Sequence, residues 1–270
     1  MTEIQKVAAL RQKLHAHPEP SNEKTETRKI IRAFLEEHTG TRIEESGTWM
    51  YAAHEEPDAK ETVVFRADHD AIVNADGEVY HGCGHDGHTA MLTGAAMALS
   101  GQTTGKNIIY LFQPAEENGT GAELCTPLFS EYEVDAVYGQ HNMPGLSRNT
   151  FYSLPGAIQY ASVGLTLRFQ GRQSHASQPE NGLSPAFAMA RLMLALAPFH
   201  EEHETPLKVD DVQFEGPVFA TIVHARVGHE NFGIAPGDGS LSCTLRAEKD
   251  ADLQKLVDWL IQKAKDEAGS

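Results

Sequence analysis

Three short apolar runs, TVVFRAD (62–68), NIIYLF (107–112) and VDAVYGQH (134–141), alternate with segments of helical periodicity, and this alternation constrains the fold more than any other feature. Each run has the length and content of a buried strand. Between the first two, TAMLTGAAMALSG (89–101) predicts a helix with Met91, Leu92, Ala95 and Leu99 on one face and a Ser-Gly stop. Upstream, Asn22 is expected to cap a helix whose buried stripe is Ile30, Ile31, Phe34 and Leu35. Strands alternating with helices predict an α/β fold, a mostly parallel sheet flanked by helices. Polar clusters follow the predicted strands: Asp68 and Asp70, then Glu116 and Glu117, then His141. Carboxyl ends of strands are where such sheets gather their chemistry.

The pattern changes near residue 161. SVGLTLRFQG (162–171) alternates, with Val163, Leu165, Leu167 and Phe169 facing one way. A helix is predicted near 183–200, with Ala186, Met189, Ala190, Met193 and Leu194 as its core face. Two strands follow, TIVHARVG (221–228) and SLSCTLRA (240–247), then an amphipathic helix burying Leu253, Leu256, Val257, Leu260 and Ile261. This β-α-β-β-α order is a split β-α-β unit without its last strand. The expected division is therefore 1–160, an α/β domain, and 161–270, an α+β domain of ferredoxin-like type that is incomplete at its C-terminus. A length of 270 residues accommodates one large or two modest domains.

Charge narrows the classes of partner. Lys and Arg number 22 against 38 Asp and Glu, a formal charge of −16, which argues against nucleic acid or an anionic membrane as partner. No run approaches the roughly 20 apolar residues of a membrane span, and the start lacks the apolar core of a secretory signal. Three scattered cysteines, Cys83, Cys125 and Cys243, do not make a disulfide framework, so the expected compartment is the cytoplasm.

The densest chemical signal is HGCGHDGH (81–88), where His81, Cys83, His85 and His88 fall within eight residues punctuated by glycine. Glycine lets near neighbours converge on one point, and thiolate with imidazole suits a borderline cation. The same run also reads as a glycine-rich turn with solvated histidines. In QPAEENGTG (113–121), two adjacent carboxylates follow a strand end. In extended backbone they point apart, so one could hold a metal and the other take a proton from water; a solvated acidic turn is the plainer alternative. His141 ends the third run and gains weight only from this company.

Together these segments resemble the metallopeptidase superfamily of the aminoacylases, carboxypeptidase G and hippurate hydrolase, above all its amidohydrolase branch. The resemblance runs in order through LHAHPEPSNEKTETRKIIRAFL, FRADHDAI, HGCGHDGHTAMLTGAA, FQPAEENGTGAE, YGQHNMPG and GRQSHASQPENGLSPAFA, across nearly all 270 residues. It implies a zinc-peptidase-like catalytic domain carrying a lid, or dimerisation, domain. It implies up to two divalent ions per subunit (Zn, Mn, Co or Ni) held by Cys83, His85, Glu117 and His141. Glu116 is implied as general base and acid. Asp70 is implied to orient a ligand, and His175 to stabilise the oxyanion in the neighbouring subunit's site. Asn231 falls roughly where the lid carries an asparagine, and Asp68 where other branches carry a ligating histidine. The implied reaction is hydrolysis of N-acyl amino acids or dipeptide-like small amides, in a homodimer formed through the lid.

Two departures from the family qualify these expectations. The stretch 70–81 is shorter than usual where it would wall the substrate pocket. The chain also stops before the segment that returns to the catalytic sheet with one more metal-binding histidine; a fragment of a longer enzyme and a shortened, inactive member are expected ahead of a site completed by strands of a second chain, and an inactive binding or assembly module is the competing function. A cysteine hydrolase with Cys83 as nucleophile is a third; it leaves Glu116 and Glu117 unexplained.

Overall fold

In a computed structural model the chain is described over residues 1–23, 26–156, 158–201 and 204–269, and it divides into two units, Met1–Asn149 and Thr150–Ser270. The first unit begins with α1 (Glu3–His15), where Thr2 and Gln5 form a reciprocal capping box, and α2 (Glu26–His38). Next come β1 (Arg42–Ser46), β2 (Trp49–His54), β3 (Thr62–Asp68), a short β4 (Ile72–Val73) and β5 (Val79–Tyr80), and α3 (His85–Ala98). The unit closes with β6 (Asn107–Gln113), the single turns α4 (Gly121–Leu124) and α5 (Leu128–Glu131), and β7 (Ala136–Gly139).

The main sheet has the order β1-β2-β6-β3-β7. The predicted strands β6, β3 and β7 pair in parallel, while an antiparallel hairpin, β1–β2, extends the sheet beyond β6. The sheet is thus mixed and covered on two faces. On one, Leu14, Ile31 and Leu35 from the first two helices, with Leu92 and Ala96 of α3, pack on Met50, Tyr110 and Phe112. On the other, Cys125 and Leu128 cover Trp49, Tyr51, Ile109 and Leu111. Two covered faces explain why β2 and β6 read as unbroken apolar runs; each such side chain contributes about 1.5–3 kcal/mol by burial.

Local expectations in the first unit need adjustment at several places. Asn22 lies in a turn at φ 70°, residues 24–25 before α2 lie outside the described ones, and the Glu19 carboxylate accepts from the backbone N–H groups of Glu26 and Thr27. Helix α3 starts four residues before the apolar stretch and presents a different face. Its buried residues include His85, His88, Thr89, Leu92, Thr93 and Ala96, while Met91 is exposed. Buried polar residues on the face nearest the strand ends displaced the apolar periodicity. Finally, β7 is an edge strand, not a buried one; Val137 and Tyr138 are about half exposed, and Tyr138 stacks on Phe65 of the neighbouring strand.

The second unit contains β8 (Ala161–Gln170), β9 (Ser174–His175), α6 (Ala186–Ala195), β10 (Leu207–Val209), β11 (Val212–Phe214), β12 (Val218–Val227), β13 (Ile234–Ala235), β14 (Asp238–Ala247) and α7 (Asp250–Ala268). An antiparallel sheet of order β12-β14-β8 packs Phe169, Leu241 and Leu245 against Met189 and Leu192 of α6 and Leu256, Trp259 and Leu260 of α7. Leu194 is exposed rather than core, because α6 ends at Ala195 and a tighter turn then carries Leu196 and Phe199 inward. Among the described residues, no helix is long and apolar enough to cross a membrane.

Candidate metal centre

Strand β3 ends at Asp68, β6 at Gln113 and β7 at Gly139, so the chain leaves three adjacent parallel strands at one edge of the sheet. Helix α3 begins at the same edge. Its N-cap, Gly84, sits at φ 88°, a left-handed conformation that glycine adopts without strain, and a Cβ there would lie 2.7 Å from Asn142 Oδ1. After β6, Ala115 takes φ 53° and the chain folds back so closely that a Cβ on Gly121 would lie 1.5 Å from the carbonyl oxygen of Pro114. These turns carry Cys83 and His85 on one side and Glu116 and Glu117 on the other.

His85 is fully buried and held by Asp70, whose Oδ1 lies 3.2 Å from Nδ1. The other Asp70 oxygen accepts from Ser21 Oγ at 2.8 Å and from the Glu117 backbone N–H at 3.1 Å. One carboxylate therefore fixes an imidazole and the backbone of a glutamate together. The free edge of the imidazole, Nε2, faces Asp68 Oδ2 at 3.7 Å, Glu117 Oε1 at 3.7 Å and Glu116 Oε2 at 3.9 Å. None is within hydrogen-bonding distance, and Nε2 is buried with no hydrogen-bond partner among the described residues, an arrangement that costs about 1–3 kcal/mol when nothing fills it.

Two sets of donors surround this nitrogen. Cys83, His85 and Glu117 offer ligand atoms within 4.8 Å of one another, and so do Asp68, His85, His88 and His141. Cys83 Sγ lies 3.3 Å from His141 Nε2, which joins the two sets. Thiolate, imidazole and carboxylate together suit a borderline divalent cation.

The titration of these groups reflects crowded negative charge in a partly dry pocket. Burial, then the carboxylates of Glu117, Glu116 and Asp68, push the Cys83 thiol up to about 11. Burial also raises Glu117, with the Glu116 charge adding to it and His85 opposing. For His85, burial favours the neutral ring, but the Asp70 bond and the Asp68 charge outweigh it and raise the pKa. A cation at Nε2 would relieve all three, so the donor set fits one. A nucleophilic cysteine requires the opposite shift, and the cysteine-hydrolase reading loses its support.

Asp68 behaves differently. Burial works against its charge, yet the hydrogen bond to His88 and the charges of Arg66 and His85 hold it down to about 2. Its carboxylate lies 2.7 Å from His88 Nδ1 and 2.6 Å from Arg66. A depressed carboxylate stabilises the fold fully above its unfolded value near 3.8, and that contribution is lost as pH falls through about 2. Denaturant melts between pH 5 and 2 are expected to show a loss of about 2 kcal/mol in the wild type that Asp68→Asn lacks.

Some residues singled out in the first unit stand outside both donor sets. His81 is buried, stacks on His15 with ring centroids 6.0 Å apart, and belongs to neither donor set. His175 and Asn231 belong to the second unit, where β9 pairs with β13 and the Asn231 side chain accepts from Gly233 N–H. Residues that sequence reasoning did not select are Ser21, Arg66, His88 as an orienting group, and Asn142. Only His88 carried a signal, as the last histidine of HGCGHDGH.

Comparison with known proteins accords with this geometry. Hippurate hydrolase from Campylobacter jejuni is 30% identical over 267 residues, covering 94% of this chain and 67% of that protein. N-acetyl-L-cysteine deacetylase from Bacillus subtilis is 32% identical over 213 residues, covering 74% of this chain and 51% of its own. A solved Bacillus subtilis structure, a dinuclear metal binding peptidase from the M20 family, matches with a TM-score of 0.76 at 23% identity, over 99% of this chain and 70% of that one. The family described as peptidase family M20/M25/M40 matches residues 57–263, most of the length, and the chain belongs to that family.

Proposed function

We propose that this chain hydrolyses the amide bond of N-acyl amino acids or dipeptide-like small amides. In this reading Cys83, His85, Glu117 and His141 hold up to two divalent cations, of the Zn, Mn, Co or Ni class. The observation that carries it is the buried Nε2 of His85, which has no hydrogen-bond partner among the described residues and faces three carboxylates at 3.7–3.9 Å. Relatives named hippurate hydrolase and N-acetyl-L-cysteine deacetylase support the substrate class, and the dinuclear fold neighbour supports the cation number.

Bound cations would supply Lewis acidity toward the amide carbonyl and toward water. Glu116 is the more exposed of the glutamate pair; it takes the proton as water attacks and returns it to the departing amine. Asp70 keeps the His85 ring and the Glu117 backbone in register throughout. Residues 1–160 then serve as the N-terminal part of a catalytic domain and 161–270 as a lid, with His175 stabilising the oxyanion of a partner subunit in a cytoplasmic homodimer.

Metal analysis of the purified chain, with amide turnover before and after chelation, tests this reading. Two ions per chain, with turnover abolished by chelation and restored by added Zn or Mn, is the expected result. One ion or none with no turnover of any N-acyl amino acid would instead favour a binding or assembly module. Turnover that survives chelation but not thiol alkylation would return the cysteine-hydrolase reading.

A further inference from the structure

His88 sits among the candidate ligands, yet both of its ring nitrogens are already engaged. The backbone N–H of Asn142 donates to Nε2 at 3.0 Å, so that nitrogen accepts and the proton of the neutral ring lies on Nδ1. Nδ1 then donates to Asp68 Oδ1 at 2.7 Å, and the second Asp68 oxygen accepts from Arg66 at 2.6 Å. Asn142 Oδ1 lies 2.5 Å from the same Nε2; because that nitrogen accepts, the side-chain amide pairs with it only when turned to present its NH2.

The chain of contacts continues outward from Asn142. Its carbonyl oxygen lies 2.7 Å from His141 Nδ1. A carbonyl only accepts, so Nδ1 of His141 carries the proton and Nε2 is turned toward Cys83 Sγ, 3.3 Å away. Gly84 packs on the other side of Asn142, with no room for a Cβ. Asn142 is thus gripped between the start of α3 and the ring of His88, although His141 itself is exposed.

We propose that His88 is a positioning residue: by holding Asn142 between itself and Gly84, it fixes the tautomer and aim of the His141 ring. Arg66, Asp68, His88 and Asn142 form one hydrogen-bonded line that ends on a candidate ligand, and without it an exposed imidazole would turn freely. The inference rests on the reading of Cys83, His85, Glu117 and His141 as cation ligands. Groups of this kind typically govern metal affinity or activity by about 10–100-fold.

Two readouts, neither of them catalytic, test the inference. In metal-free protein, ring 15N shifts of His141 should report the Nδ1–H tautomer in the wild type and a mixture of tautomers in His88→Ala. Titration of metal-free protein with Co2+, followed by visible absorption, should show binding weakened by about 10–100-fold in His88→Ala. His88→Gln, whose amide can donate to Asp68 and accept from Asn142, should recover part of that loss. Wild-type Co2+ affinity and an unchanged His141 tautomer in His88→Ala would overturn the proposal. If His88→Ala fails to fold by circular dichroism, His88→Gln and Asp68→Asn carry the same comparison. No Co2+ binding by the wild-type chain would overturn both the proposal and the metal reading. Co2+ binding that depends on His88, without amide turnover, would overturn only the hydrolase reading.

Discussion

Glu116→Gln is expected to lower amide turnover by about 10²–10⁴-fold, the contribution of a positioned general base, while cation content stays near that of the wild type. Gln is nearly isosteric with Glu and still occupies the space 3.9 Å from His85 Nε2, but its amide does not accept a proton at neutral pH. The neighbouring Glu117 does not substitute, because its backbone N–H is anchored on Asp70 and its carboxylate lies with Cys83 and His85 in one donor set. Metal analysis beside steady-state kinetics separates the roles. If Glu116→Gln loses bound cation together with turnover, Glu116 is a ligand and the assignment of the pair reverses.

His85→Ala should have the larger effect on binding, because His85 is common to both donor sets. Equilibrium dialysis should find little cation retained by the variant, and turnover should fall to the uncatalysed background. The variant also removes the Asp70–imidazole hydrogen bond from a buried site, which is expected to lower stability. A circular dichroism melt therefore has to accompany the binding assay. In the wild type, Asp70 and Asp68 make His85 retain its proton more strongly than a free imidazole does. A cation must displace that proton, so its affinity should rise with pH across the range where His85 loses it. Cation bound by His85→Ala as tightly as by the wild type would remove this nitrogen from the centre.

The sequence made the gathering of these residues legible because each sits at or just beyond the end of a strand whose apolar run is unmistakable. Asp68 closes the run that became β3, and Asp70, then Glu116 and Glu117, then His141 lie beyond the ends of β3, β6 and β7. What could not be read was the grip on those residues. Ser21 and Arg66 are ordinary polar residues in sequence, and they reach Asp70 and Asp68 only through tertiary folding. Asn142 has no pattern of its own in sequence, yet a Cβ at Gly84 would collide with it. The face of α3 was misjudged because burial there serves hydrogen bonds: Thr89 Oγ1 donates to the Asp68 carbonyl, and His88 binds the same residue's carboxylate. Apolar periodicity has no signal for a helix face buried by polar contacts. The β1–β2 hairpin escaped for a related reason, since WMYAAH is covered on both sides and shows no alternation.

Asp86 gives the glycine-rich loop a dependence on distant sequence. Its side chain is wholly buried, and one oxygen lies 2.8 Å from both Arg11 Nε and His15 Nδ1 on the first helix. The eight-residue motif 81–88 is consequently not a transplantable cassette. Grafted onto another scaffold, it would carry a carboxylate into the interior without the Arg11 guanidinium and the His15 ring that hold it here, at a cost of several kcal/mol. An engineer borrowing this centre would have to bring the opening helix along, or replace Asp86 first.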